Sequence, residues 1–465
     1  MGAEPRPPTL AGAGRVHLVG IGGSGMSSLA TLLAAEGKRI SGSDLSAEAV
    51  ARLASRGIAT SVGHRAEQVG RAEVVIVSAA IPADNAELLE ARRLGLPILT
   101  HAEALGELMQ TRFGVAVAGT HGKTTTTAMP GYILERAGLD PTVLAGATVL
   151  NFGSGARPGR GRHLVVEADE YDRRFLALRP RLALITGIEA DHLDYFRDLA
   201  EILAAFRTFA DRLPADGLLV TCADDPVLAG TDLPRRRMTY GRASSAEWRL
   251  TAFRPHPGGG CEVELAGPAG AARTRLQLSG LHNATNATGA VAAASELGVR
   301  AADAAEALAD FRGTERRFQT VWQAGGIWIV DDYAHHPSEV RATLAAAREV
   351  HPGRLWAVFQ PHTTNRVAEL REEFGTSFES ADRLTLLPIY RPPGRERGEP
   401  AVTAADLASA ISRPAPSLEA SLEAAEQDVA GELQPGDLAV VMGAGDVTRL
   451  SRGLARRLAR PEPVP

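Results

Sequence analysis

Residues 113–127 read "FGVAVAGTHGKTTTT", and how this stretch is read decides the fold. An apolar run of strand length passes into the loop Gly119-Thr120-His121-Gly122-Lys123-Thr124 and then into a helix. A glycine-rich turn between a buried strand and a helix offers unpaired N–H groups to an anion, and the helix dipole adds roughly half a positive charge there. The lysine supplies a mobile point charge and the threonine a hydroxyl suited to Mg2+, so the loop reads as a phosphate cradle. The strict motif wants a glycine five places before Gly122; Val117 stands there, which makes this a shortened variant. Lysine occurs only at Lys38 and Lys123, every other cation among the 50 being arginine. A lysine kept at this loop points to a site where a compact ammonium fits and a planar guanidinium does not.

Upstream, "VHLVGIGGSGMSSLA" (residues 16–30) carries Gly20, Gly22 and Gly25 as G-x-G-x-x-G after an apolar run. It is a second phosphate cradle, and Asp44, about 20 residues beyond the glycines, stands where a nicotinamide enzyme holds its ribose. Four apolar runs alternate with helical patterns from Val16 to Leu99, and helices close on Gly37, Gly57 and Gly95, as β-α-β units of a parallel sheet do.

Downstream of Arg112 a new series follows, "FGVAVAGT", "HLVVEADE", "LALITGIE" and "GLLVTCADD". Short alternating strands between about Arg236 and Ser279 read as a local antiparallel appendage. A third series, from "IWIVDDYA" to "LAVVMGAGD", opens beyond Gly313. The expectation is an α/β protein of three domains: a Rossmann-like domain over 15–111, a central phosphate-loop domain with a small antiparallel appendage over 112–313, and a second Rossmann-like domain over 314–465. Residues 1–14 are expected to be a disordered arm.

A chain of 465 residues is too long for one core, and its 45% apolar and 23% charged residues are ordinary for a globular enzyme. A net charge of −5 without a long basic tract argues against nucleic acid. No 18-residue apolar window or signal peptide occurs, and two cysteines make neither a metal spacing nor a disulfide framework, which favours a reduced cytoplasm.

Acids gather at expected strand ends. "VVEADEYDRRF" brings Glu167, Asp169, Glu170 and Asp172; Glu167, first beyond the strand, is the expected metal ligand, and most of the others are expected in solvent or paired with Arg173 and Arg174. "ITGIEADHLDYF" adds Glu189, Asp191, His192 and Asp194, "VDDYAHHPSEV" adds Asp331, Asp332, Tyr333, His335 and His336, and "FQPHTTNRV" adds His362 and Arg366. Acids, histidines and arginines at these strand ends suggest phosphoryl transfer with a second, anionic substrate in a cleft between domains.

With these segments in hand the chain resembles the Mur ligase family over nearly its whole length. The resemblance rests on "GIGGSGM", "GTHGKTTTT", "EADEYD", "EADHLD", "GLHNATN", "RRF", "DDYAHHP" and "FQPH" with Arg366, in the family's order and spacing. It implies that the first loop holds the diphosphate of a UDP-sugar, through Gly20, Gly22, Gly23, Ser24, Gly25 and Met26 with Asp44 and Ser78, and that the second holds ATP. It implies that Gly119, Thr120, His121, Gly122, Lys123, Thr124 and Thr125 meet phosphates, Asn283 and Asn286 adenine, and Arg317 and Asp332 ribose or phosphate. Thr124 and Glu167 are implied for one Mg2+ and His192 for a second. Tyr333, His335, His362 and Arg366 are implied for the amino acid and the transferred phosphate, Arg366 being the natural partner of its carboxylate.

Relatives that use a carbamoylated lysine after the "DH" segment have no counterpart here, because residues 195–215 contain no lysine. That, and "FQPH" with Arg366, resemble the alanine-adding branch, which implies UDP-N-acetylmuramate and L-alanine as substrates and a monomer or weak homodimer. A recycling branch that attaches a tripeptide to the same UDP-sugar is the nearest alternative, and a nicotinamide oxidoreductase, which leaves Lys123 idle, a distant one. Pro130, two turns into the helix after the phosphate loop, is expected to kink or end it.

Overall fold

The computed structural model describes residues 9–193, 195–233, 236–392 and 401–459. Three sheets follow one another along the chain. The first, all parallel, comprises β1 (Arg15–Val19), β2 (Arg39–Asp44), β3 (Ala59–Val62), β4 (Val74–Val77) and β5 (Ile98–Thr100) in the order β3-β2-β1-β4-β5. The strand order reverses between β1 and β4, and a crevice opens beyond the strand ends at such a switch point. The loop after β1 carries Gly20–Met26, and Ser78 follows β4.

The central sheet contains β6 (Phe113–Ala118), β7 (Thr142–Val149), β8 (Ser154–Arg157), β9 (His163–Glu167), β10 (Leu182–Ile185), β11 (Leu218–Cys222), β12 (Arg236–Gly241), β13 (Trp248–Pro255), β14 (Cys261–Gly267) and β15 (Gly270–Leu276). Its order is β15-β14-β13-β12-β11-β10-β6-β9-β7-β8. The strand β6 is flanked in parallel by β9 and β10, so the loops that leave all three converge. Val115, Val117, Leu164, Val166, Leu182 and Leu184 are buried, as strands covered on both faces require. The antiparallel strands β13–β15 extend this same sheet, whereas β12, grouped with them by sequence, pairs parallel to β11.

The third sheet holds β16 (Gln319–Ala324), β17 (Ile327–Asp332), β18 (Arg354–Phe359), β19 (Arg383–Leu386), β20 (Pro416–Leu418) and β21 (Asp437–Met442), ordered β16-β17-β21-β18-β19-β20, with only the β16 edge antiparallel. Alternate residues of β18 serve opposite faces: Leu355, Ala357 and Phe359 join one apolar core, Trp356 and Val358 another.

Two expectations are corrected. The arm expected to be disordered through residue 14 forms a short helix over Thr9–Gly12, with Leu10 fully buried and the Lys38 ammonium donating to the carbonyls of Leu10 and Ala13, each at 2.7 Å; residues 1–8 lie outside the described residues. The helix Lys123–Arg136 runs through Pro130 without ending. Every residue from Thr124 to Leu134 is buried, so packing on all sides outweighs the one backbone bond that proline removes.

Candidate active site

The first glycine loop is shaped from beneath. The Gly20 and Ile21 amides donate to the Ser43 carbonyl at 2.9 and 3.0 Å, and the Gly22 amide donates to Asp44 Oδ2 at 2.7 Å. A Cβ on Gly22 would lie 2.7 Å from the Asp44 carboxyl, so only glycine permits this approach. Asp44 thereby holds the loop, and the helix Ser24–Ala35 begins directly after it with amides that have no intrahelical acceptor.

In the second loop Gly119 (φ +130°) and Gly122 (φ +76°) take conformations suited to glycine. The Thr120 amide donates to the Gly187 carbonyl and the Thr120 hydroxyl accepts from the Glu189 amide, both at 2.9 Å, which ties this loop to the one after β10. Lys123 Nζ donates to the carbonyls of Gly119 (2.7 Å) and Thr120 (3.0 Å) and to Glu170 Oε1 (2.9 Å). Glu170 is 3% exposed, and burial, opposed by the Lys123 charge, pushes its carboxyl up to about 7. The Thr124 hydroxyl donates to Glu167 Oε1 at 3.1 Å, and the Gly146 amide of β7 donates to Glu167 Oε2 at 2.7 Å. The helix Ser24–Ala35 packs on the hairpin β7–β8, so one hairpin joins the two cradles.

His192, with φ +55°, lies 3.8 Å from both Glu170 and Asp191 and meets the Tyr171 ring edge-on at 4.9 Å. Burial holds it below the ordinary histidine range, and the neutral imidazole is the metal-ligating form.

The third sheet closes over these loops. Arg366 Nη2 donates to Asp191 Oδ1 at 2.7 Å, while His362 stacks on Tyr390 (5.7 Å) and lies edge-on to His335 (5.6 Å). The guanidinium of Arg317 covers the Tyr333 ring at 5.1 Å and lies 3.5 Å from Glu339. His121 stands between Glu189 (3.4 Å) and Glu339 (3.3 Å); burial alone would lower its pKa, but hydrogen bonds and charges from the two carboxylates raise it to about 9.

The description "Mur ligase family, catalytic domain" matches residues 15–113, "Mur ligase middle domain" residues 117–294 and "Mur ligase, glutamate ligase domain" residues 316–445. The chain belongs to the Mur ligase family. It is 41% identical over 466 residues to the UDP-N-acetylmuramate–L-alanine ligase of Anaeromyxobacter dehalogenans strain 2CP-1, covering 96% of this chain and 98% of that one. The crystal structure of a UDP-N-acetylmuramate–alanine ligase from Thermotoga maritima matches at a TM-score of 0.80 and 27% identity, over 96% of this chain and 99% of that one. A murein peptide ligase from Psychrobacter arcticus 273-4 matches at 0.68 and 26%, over 95% and 98%.

Within this Mur ligase fold the second glycine loop gathers the Thr124–Glu167 pair and Asn286 against Gly122, and Tyr333, His335 and His362 form one ring group. Met26 and Thr125 are buried in the first turns of their helices, and the Asn283 amide donates to the Ser279 carbonyl. Ser78 lies beside Gly20. Two of the expected side chains hold protein partners. The Asp332 carboxylate turns inward, accepting from the amides of Phe318 (2.6 Å) and Ala334 (2.7 Å), because it organises the "RRF" and "AHHP" turns. Arg366, expected to meet a substrate carboxylate, meets Asp191.

Asp194 lies outside the described residues. Sequence reasoning missed Glu170 and Glu339. Four acids within six residues gave no way to single out the buried one. Glu339 had a signal, since it sits three residues after the helix cap His336, where a capping box places a glutamate.

Proposed function

We propose that this chain joins L-alanine to the muramoyl carboxylate of UDP-N-acetylmuramate at the expense of ATP, in peptidoglycan precursor synthesis. The observation that carries this reading is Glu167. One of its oxygens faces the phosphate-loop Thr124, and the other is held by the hairpin that seats the first glycine loop. Two nucleotide cradles are thus coupled through one carboxylate, as a reaction between a nucleotide sugar and ATP needs. The name of the 41%-identical relative states the same UDP-sugar and amino acid.

The first sheet, over 15–111, takes the UDP-sugar; the central unit, 112–313, takes ATP; the third, 314–465, brings the amino acid. A free carboxylate is a poor acyl donor, and transfer of the γ-phosphoryl group to it makes an acyl phosphate with a good leaving group. The neutral alanine amine attacks that carbonyl, and the tetrahedral adduct loses a proton from nitrogen and expels phosphate to leave the amide. Lys123 is already held at the loop as a compact cation that neutralises β and γ phosphate charge, and the loop amides orient the chain of phosphates. His335, His362 and Tyr333 line the side from which the third sheet delivers the amine.

Mg2+ fits the donors present: the Thr124 hydroxyl and the Glu167 carboxylate are hard oxygen ligands, and His192 offers a neutral nitrogen for a second ion. When bound, the metal adds charge neutralisation to that of Lys123. Among the described residues no helix is long and apolar enough to cross a membrane. A cytoplasmic enzyme acting as a monomer or weak homodimer is part of this reading.

The test is phosphate release with ATP, Mg2+ and UDP-N-acetylmuramate, comparing L-alanine with the tripeptide as acceptor, and Lys123→Ala as control. Turnover with L-alanine that disappears in the variant is expected. Turnover with the tripeptide alone overturns the reading in favour of the recycling activity.

A further inference from the structure

His121, which the resemblance implies for the ATP phosphates, also forms with Glu189 and His336 a cluster to which the ligase chemistry above gives no joint role. They come from three different loops: the phosphate loop, the loop after β10, and the turn after β17. One ligand-capable atom of each lies within 4.8 Å of the others. His121 Nε2 is 3.4 Å from Glu189 Oε2, and His336 Nδ1 is 3.8 Å from the same oxygen. The two rings are tilted by 44° with centroids 4.7 Å apart. His336 is 5% exposed, and its Nε2 atom is buried without a hydrogen-bond partner. Buried ring nitrogens left unpaired are uncommon and call for an explanation.

We propose that His121, Glu189 and His336 form a transition-metal site, with Zn2+ as the fitting ion, that clamps the third domain onto the phosphate loop. Two imidazoles and one carboxylate are a Zn2+ donor set with a fourth position left open, whereas Mg2+ prefers oxygen donors. Tetrahedral ligands at Zn2+ stand about 3.3 Å apart. The His121–Glu189 separation meets this already, and His336 needs a small ring rotation. Zn2+ binds imidazole in its neutral form, so uptake of the ion is coupled to pH. Ser338 Oγ donates to Glu189 Oε2 at 2.6 Å, the outer contact that orients a ligating carboxylate. Because two ligands belong to the central domain and one to the third, the bound ion holds the cleft shut and opposes nucleotide exchange. The site is distinct from the Thr124–Glu167 and His192 positions proposed for Mg2+.

The experiment is equilibrium Zn2+ binding to the full chain without nucleotide, measured against a chromophoric chelator in millimolar Mg2+, which fills the oxygen sites. Cys222 and Cys261 are buried and do not compete. One Zn2+ equivalent is expected, with Co2+ in its place giving the intense d–d absorption of a four-coordinate site. Losing an outer contact of a metal site weakens binding about 10- to 100-fold, so losing a ligand in His336→Gln lowers affinity at least tenfold. His192→Gln leaves it unchanged. His121→Asn repeats the test from the other domain should His336→Gln fail to fold. Wild-type Zn2+ affinity in either cluster variant, or its loss in His192→Gln alone, overturns the proposal. Binding is read without turnover, so this result is independent of the ligase assay.

Discussion

Arg366 Nη2 and Asp191 Oδ1 meet at 2.7 Å across the seam between the third and central sheets, with side chains 11% and 8% exposed. The guanidinium holds the Asp191 carboxyl far below the usual carboxylate range against the opposing effect of burial. Removing one partner of a buried pair costs about 3–5 kcal/mol, because the other charge is left uncompensated. Asp191→Ala is therefore expected to open the seam, seen as a larger radius of gyration in small-angle scattering and a weaker response to L-alanine. An unchanged radius in the variant would show that the pair does not hold the domains together.

The two glycine cradles predict separable defects. A Cβ on Gly22 meets Asp44 and Ala49 at 2.7 Å, and one on Gly119, at φ +130°, meets Thr186 Oγ1 at 2.1 Å. Gly22→Ala is expected to weaken UDP-N-acetylmuramate binding by about tenfold or more, equivalent to about 1.4 kcal/mol, and to leave ATP binding as it was. Gly119→Ala is expected to do the reverse. Calorimetric titration of each nucleotide alone decides the matter, and a variant that loses both would mean the cradles are not independent.

Lys38 ties the segment around Leu10 to the first sheet through two carbonyls. Hydrogen bonds from charged groups contribute roughly 1.5–3 kcal/mol. In Lys38→Ala residues 9–14 are expected to become accessible to limited proteolysis, and Lys38→Arg should not restore protection, since a planar fork converges poorly on two helix-end carbonyls. Equal cleavage rates in wild type and Lys38→Ala would refute this.

His101 opens the helix that follows β5 and lies 3.2 Å from where a Cβ on Gly25 would stand. Burial lowers its pKa from 6.5 to about 4. A depressed histidine favours the neutral fold, so its contribution is complete above pH 6.5 and is lost as pH falls toward 4. The difference in unfolding free energy between wild type and His101→Gln should be constant above pH 6.5 and shrink below it. A difference that stays flat to pH 4 would count against a neutral, half-buried His101.

Local order made much of this protein legible in advance. Gly20–Gly25 and Gly119–Thr124 each need a strand, a tight turn and a helix start in succession, and those demands are met by neighbours in the chain. The retention of only two lysines was equally informative: both place a compact ammonium on pairs of backbone carbonyls, Leu10 and Ala13 for one, Gly119 and Thr120 for the other. The strand missed in the first sheet, β3, has the weakly apolar sequence "ATSV" and is recognisable only by its pairing with β2.

By itself the sequence determined the succession of β-α units, the two glycine-rich turns and the set of acids, histidines and arginines at strand ends, because period, turn chemistry and motif spacing act over a few residues. Which of those charges lie within reach of one another was decided only in three dimensions. Glu170 chose Lys123, Asp191 chose Arg366, and Asp332 turned inward to hold Phe318 and Ala334, although nothing in their immediate neighbours separates them from Asp169 or Glu167. The physical reason is that charge pairing depends on burial and on separations of a few ångströms between residues up to 175 positions apart. Strand order in the central sheet, which brings the loops after β9 and β10 to either side of the loop after β6, sets those separations.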